Sequence, residues 1–376
     1  MPIKISQEFD GGAIEVLRTD NPQAIDLNIR KDSHANFLQW FYFRLQGAAD
    51  NACIMRFLNA GQATYSTGWE NYQAVASYDR IDWFRVPTAY DGQVMTIMHT
   101  PEHDSVYYAY FEPYSWERHL DLLGRATMSP LARLLDLGST VEGRDMNAVI
   151  VGNPFAAQKI WVVARQHPGE TMAEWFVEGM LNALLDPTNE IARLLRKYAV
   201  FYIVPNMNPD GAIHGNLRTN AAGVNLNREW MAPSMDTSPE VFVVRDKIHE
   251  TGCNLFLDIH GDEALPYVFV AGNEMLENFS SQQAMEQEIF ITHFKQTSPE
   301  FQSEHGYPAG KYQADTLKLA SKYIGHTFKC ISLTLEMPFK DNANLPDIRA
   351  GWNGARSAEL GQAILSPILH AVAPAS

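Results

Sequence analysis

Short apolar runs, each cut off by a polar residue, recur through the later two thirds of the chain. Trp161-Val162-Val163-Ala164, Phe201-Tyr202-Ile203-Val204, Leu255-Phe256-Leu257 and the run 331–335 are continuous enough to be strands covered on both faces. Between the first two lies a helical stripe of Met172, Trp175, Phe176, Met180, Leu184 and Leu185, which Pro187 ends. Ser115 is placed to cap an earlier helix that runs through Leu123. Strands predicted over 198–204, 254–259 and 330–335 therefore alternate with helices, the pattern of a mainly parallel, doubly wound sheet. Residues before Glu112 read differently. Short aromatic and β-branched runs at 13–17, 37–45, 52–58, 81–86, 94–98 and 106–111 are separated by Gly, Asn, Asp and Pro. That spacing predicts an antiparallel β-sandwich. The fold class is thus α/β, with a sandwich domain over 1–112 ahead of an α/β/α domain over 113–376.

Polar residues stand where the apolar runs stop: His167 and Glu170, Asn206, His260, and Glu336. In an open α/β sheet the ligand crevice lies beyond the carboxyl ends of the strands, so residues remote in sequence converge there. Two histidines and two carboxylates are what a catalytic zinc with a neighbouring general base requires. His167 and Glu170 can reach one ion if the turn between them is tight. Pro168 and Gly169 supply such a turn, and Glu170 is expected to begin the next helix. His260-Gly261-Asp262-Glu263 has the same His-x-x-Glu form after a strand, so the local pattern leaves the third ligand open between Glu170 and Glu263. Both assignments use His167 and His260.

Composition narrows the setting. The net charge of −15 over 376 residues argues against nucleic-acid or anionic-membrane partners. Cys53, Cys253 and Cys330 sit in apolar runs without Cys-x-x-Cys spacing, which fits buried thiols in a reducing compartment. The first residues carry no apolar signal core, and no uncharged stretch is long enough to span a bilayer. A cytoplasmic protein is expected.

Five motifs in order carry a family resemblance: His-Pro-Gly-Glu at 167–170, Asn-Pro-Asp-Gly at 208–211, Gly-Val-Asn-Leu-Asn-Arg at 223–228, Asp-Ile-His-Gly at 258–261 and Thr-Leu-Glu at 334–336. Across roughly 115–345 the chain resembles the zinc metallocarboxypeptidases of the carboxypeptidase A-like (M14) family. The sandwich and the run Pro205 to Gly211 are most similar to the cytosolic carboxypeptidase subfamily, which includes enzymes that trim glutamates from protein tails. The resemblance implies that His167, Glu170 and His260 hold one zinc ion, and that Glu336 is the general base. It implies that Arg218 polarises the scissile carbonyl, and that Asn227 and Arg228 grip the substrate's terminal carboxylate. Arginine suits that grip because its fork makes two parallel bonds to a carboxylate. The implied substrates are C-terminal tails of peptides or proteins, ending in acidic residues. A zinc amidohydrolase of small N-acyl amino acids is the alternative that the His-Gly-Asp-Glu run keeps open.

Other residues are assigned around this core. Asp258, two before His260 on a strand, is placed to orient that histidine. Glu263 is read as structural. Asn208 to Gly211 form a turn that positions Arg218. A substrate-donating tyrosine is expected before Glu336, with Tyr312 chosen over Tyr307 and Tyr323. Of Lys311, Lys318, Lys322 and Lys329, the pair Lys318 and Lys322 is read as a solvated helix face opposite Leu317, Ala320 and Ile324. Lys329 is the expected pocket lysine. The sandwich is expected to restrict the cleft to flexible tails.

Overall fold

The computed structural model describes residues 3–308 and 313–373. Its centre is a seven-stranded mixed sheet: β1 (Ala132–Ser139), β2 (Asp145–Gly152), β3 (Gln158–Ala164), β4 (Ala199–Val204), β5 (Leu255–Asp262), β6 (Phe269–Ala271) and β7 (Ile331–Pro338), in the spatial order β1-β2-β4-β3-β5-β7-β6. The central pairs β4/β3, β3/β5 and β5/β7 are parallel, while β1/β2, β2/β4 and β6/β7 are antiparallel. Helices cover the faces, so all eight residues of β5 are buried and its apolar run needs no polar alternation.

Two strands run further than the apolar pattern indicated. β5 and β7 extend to Asp262 and Pro338, so His260 and Glu336 lie within strands rather than after them. They sit opposite each other in the parallel ladder, His260 beside Glu336. Pairing between the two strands sustains the extension beyond the apolar core. The hairpin β1/β2 went unpredicted: β1 is an edge strand exposed along much of its length, whereas β2 is an inner strand whose run Ala148-Val149-Ile150-Val151 is as apolar as those that were read. Ser115 does cap a helix, Trp116–Met128, by accepting from the Arg118 backbone N–H.

The N-terminal region forms two five-stranded sheets. Their pairs are antiparallel except Ile25–Asn28 with Cys53–Phe57, which run parallel. Aromatic rings fill the space between them: Phe41 lies 4.8 Å from Phe57, and Trp69 lies 5.2 Å from Tyr110. Tyr110 then stacks on Phe339, just past β7, at 4.5 Å and 15°. One apolar cluster therefore runs from the sandwich into the larger sheet.

The helix Met172–Leu185, which comes after the His167 turn, packs closely on Gly354–Ala363. A Cβ at Gly179 would stand 2.0 Å from the Ala358 carbonyl oxygen, and one at Gly361 would stand 2.0 Å from that of Phe176. Alanine in mid-helix is worth about 1 kcal/mol over glycine, but overpacking against rigid backbone costs about 1–3 kcal/mol and here has no flexible side chain to yield. With the carbonyl oxygen only 2.0 Å from the added Cβ the upper end of that cost applies, so Gly179→Ala should lower the urea unfolding midpoint, with a net loss approaching about 2 kcal/mol. An unchanged or raised midpoint would show that the helices separate freely.

Candidate metal centre and the cavity around it

The chain leaves β3 through Arg165, whose φ of 57° reverses its direction. Arg165 braces the turn beyond it by donating to the carbonyls of Pro168 and Tyr114 at 2.9 Å, and it pairs with buried Glu174 at 2.7 Å. Gly169 is required at the next step: its N–H donates to the Leu217 carbonyl, and a Cβ there would lie 3.0 Å from that oxygen. The Glu170 N–H closes the turn onto the His167 carbonyl at 3.1 Å. Glu170 therefore belongs to the turn, and the helix begins only at Met172.

This turn places His167 Nδ1 2.6 Å from Glu170 Oε1, while His260 Nδ1, from β5, lies 2.7 Å from Glu170 Oε2. His167, Glu170 and His260 are 3%, 2% and 1% exposed, and one ligand atom from each lies within 4.8 Å of the others. The far side of each imidazole is also held. His167 Nε2 meets Asn225 Oδ1 at 3.1 Å, and His260 Nε2 meets Asp258 Oδ1 at 2.8 Å. Asp258 is in turn fixed by Gln166 Nε2 at 2.8 Å, and Gln166 accepts from the Trp230 indole. Two Nδ1 atoms and a carboxylate facing one point, with both Nε2 atoms on oxygen acceptors, fit a zinc ion in donor type and in orientation.

Charge is concentrated here in a dry place. Burial pushes the His167 imidazole down to about 3, helped by Arg218. Burial acts against protonation of His260 as well, but Asp258 and Glu170 together hold it well above its ordinary value. Burial would raise Glu170, yet the two histidines outweigh it and hold the carboxyl well below the carboxylate range. Glu336 accepts from the Tyr307 hydroxyl at 2.7 Å, and its Oε2 is buried without a hydrogen-bond partner. Burial pushes Glu336 up to about 8.

The same cavity, of about 120 Å³, takes in Arg218, Asn227, Arg228 and Lys322. Arg218 sits on a loop held from the sandwich. Asp32 accepts from the backbone N–H groups of Leu217, Arg218 and Thr219 at 2.6, 2.8 and 3.0 Å. The Arg218 guanidinium lies over the rings of Tyr65 and Phe37 at 5.4 and 5.9 Å. Asn227 accepts from the Ala320 N–H at 2.9 Å, which ties it to the first turn of the helix Ala320–Phe328. Asn208 caps the short helix Pro209–His214 ahead of the Arg218 loop.

Several assignments change. Lys322 is not on a solvated face: it is 8% exposed and lines the cavity, and burial pushes its ammonium down to about 8. Its helix is held in that orientation by Asn227 on Ala320, by Thr334 and Ser332 on Ser321, and by the packing of Ala320 and Ile324. Lys329 is not in the pocket. It is exposed in a left-handed conformation at the end of that helix. Asn206 faces Glu174 at 3.2 Å and stays out of the cavity wall. Tyr312 and Lys311 lie outside the described residues, and Tyr323 reaches His249 at 3.0 Å instead. Among the described residues, Tyr307 is the tyrosine that meets Glu336. Glu263 lines the cavity, with Oε1 buried and unpartnered. Asp32 and Tyr65 had no sequence signal, because only the packing of the sandwich brings them to the loop at 217–219.

Comparison with known proteins gives two family matches. The model described as "Cytosolic carboxypeptidase N-terminal domain" matches residues 5–111, and that described as "Zinc carboxypeptidase" matches 118–352. The chain is similar to the crystal structure of a metallo-carboxypeptidase from Burkholderia cenocepacia, with 60% identity and a TM-score of 0.97 over 98% of this chain and 99% of that one. A metallo-carboxypeptidase from Pseudomonas aeruginosa, in complex with (2-guanidinoethylmercapto)succinic acid, is 44% identical with a TM-score of 0.95, over 98% and 99% of the two chains. Human cytosolic carboxypeptidase 6 is 28% identical over 93% of this chain and 76% of its own length.

The donor set predicts that zinc stabilises metal-stripped protein. A ligand at a thousandfold its Kd contributes about 4 kcal/mol, so the melting temperature should rise with zinc concentration. Glu170→Gln should abolish most of that rise. An equal rise in the variant would place the metal elsewhere.

Proposed function

The chain belongs to the zinc carboxypeptidase family, and on that premise we propose that it removes single residues, acidic ones by preference, from free C-termini of peptides or protein tails. The observation that carries this reading is the gathering of His167, Glu170, His260, Glu336, Arg218, Arg228 and Lys322 around one buried cavity. In this reading His167, Glu170 and His260 are the zinc ligands. When bound there, zinc supplies a Lewis acid that polarises a carbonyl and brings the pKa of water towards about 7. Every other step falls to the chain's own groups. Glu336, one strand away from His260, takes a proton from the attacking water and passes it to the leaving nitrogen. The Tyr307 hydroxyl fixes the rotamer of that carboxylate. Arg218 stabilises the oxyanion as it develops, a contribution of about 3 kcal/mol for one such donor. Its aim is set by the Asp32 contacts to its own backbone and its neighbours'.

Arg228 and Asn227 grip the terminal carboxylate, which makes the enzyme an exopeptidase. Lys322, tied to Asn227 through the first turn of its helix, meets an acidic side chain on the departing residue. Residues 1–112 act as a domain that forms one wall of the cleft and admits only flexible tails to the domain at 113–376. Three buried free thiols and relatives named as cytosolic support a cytoplasmic location, and among the described residues no helix is long and apolar enough to cross a membrane.

Peptides ending in free Glu should be trimmed by the zinc-loaded protein, and their C-terminal amides should lose at least about a hundredfold in kcat/KM, as expected when a buried charge pair loses a partner. Equal cleavage of acid and amide would refute the Arg228 clamp. Hydrolysis of N-acyl amino acids without any peptide trimming would select the amidohydrolase reading instead.

The lysine gives a pH test. Its free-enzyme ammonium titrates near 8, so the group is charged below that value and neutral above it. The kcat/KM preference for C-terminal Glu over Gln should therefore fall as pH rises through about 8, and Lys322→Met should remove it at every pH. A preference that persists in the variant would move the specificity determinant elsewhere.

A further inference from the structure

Glu263 is a carboxylate that the proposed reaction leaves unused. It lines the catalytic cavity at 5% exposure, its Oε1 has no hydrogen-bond partner, and burial pushes its carboxyl well up. A buried carboxylate without a partner is costly, and a cationic or N–H donor entering the cavity removes that cost. Its place in the cavity is specific. The cation that acts on it most strongly is Arg218. A Cβ at Gly68 of the sandwich would lie 3.0 Å from the Glu263 carbonyl oxygen and 3.2 Å from its Cβ, so Glu263 abuts the segment that carries Tyr65. Arg228 and Lys322 line the same cavity, and the Ala320 N–H on Asn227 joins the segments that carry them. The cavity thus holds three cationic side chains and, on the side that meets Gly68 of the sandwich, a carboxyl group without a partner on Oε1.

We propose that Glu263 binds an alkylammonium group on the substrate residue just before the scissile bond. The inference rests on the proposed function, since Arg218 marks the scissile carbonyl and Arg228 the terminal carboxylate. A peptide held by both continues past Arg218 on its amino side, where Glu263 waits. The ammonium can come from the free α-amine of a dipeptide or from a penultimate lysine side chain.

The test uses the zinc-loaded full chain and four peptides: Ala-Glu, N-acetyl-Ala-Glu, N-acetyl-Gly-Lys-Glu and N-acetyl-Gly-norleucyl-Glu. At least one amine-bearing member should exceed its neutral partner about tenfold or more in kcat/KM, the usual worth of a charged hydrogen bond. Which pair does so identifies the source of the ammonium. In Glu263→Gln that ratio should fall to within about threefold of unity. Equal rates within both pairs for the unaltered protein, or an undiminished ratio in a folded Glu263→Gln, would overturn the assignment while leaving the carboxypeptidase reading intact. Failure to cleave any of the four would overturn that reading, and this inference with it.

Discussion

A buried carboxylate between two imidazoles is the constraint on which the rest of this molecule depends. Glu170 is 2% exposed and has a histidine nitrogen on each oxygen, at 2.6 and 2.7 Å. Charge so far from water persists only where opposite charge or strong donors surround it. The fold meets that demand from three directions. Arg165 and Gly169 shape the turn that carries Glu170 and His167, β5 delivers His260, and Asn225 and Asp258 hold the imidazoles from behind. Such backing fixes the ring angles, so the inward nitrogens and the Glu170 carboxylate face one common point. A central parallel sheet can gather these groups because neighbouring strands end together. His260 and Glu336 are side by side in the ladder although 76 residues separate them in sequence.

The sandwich is part of this arrangement rather than an appendage. Asp32 gives its two oxygens to three consecutive backbone N–H groups of the loop that bears Arg218. Each charge-assisted bond of this kind is worth about 1.5–3 kcal/mol, against about 0.5–1.5 kcal/mol for a neutral one. Tyr65 and Phe37 then set the guanidinium between the two parts of the chain. With Tyr110 stacked on Phe339, the contact is apolar as well as polar. An arginine on a loop would otherwise sample many rotamers, and the sandwich removes that freedom where the geometry needs it removed.

Much of the fold could be read from the chain because buried parallel strands leave unbroken apolar runs, and the helix after His167 leaves a clear stripe. The grouping of His167, Glu170 and His260 could be anticipated because its motifs are local at 167–170 and short elsewhere. The features that escaped were set by tertiary contact. Lys322 sits on a helix whose sequence has the look of a solvent face, and that face is turned to the cavity by tertiary contacts: Ala320 on Asn227, Ser321 on Thr334 and Ser332, and Ile324 in the apolar cluster. Lys329 stands at a strand entrance in sequence, yet the left-handed residue that ends the helix points it to water. Asp32 and Tyr65 lie among ordinary sandwich residues, with no pattern to mark them. β1 escaped for another reason: an edge strand exposed along much of its length keeps the polar composition of a loop.

X-ray absorption at the zinc edge of the loaded protein tests the central claim most directly. The account predicts a first shell of nitrogen and oxygen only, at about 2.0–2.2 Å, with outer-shell scattering from two imidazole rings that falls to one ring in His260→Ala. Sulfur in the first shell at about 2.3 Å, or an imidazole count that His260→Ala leaves unchanged, would contradict it.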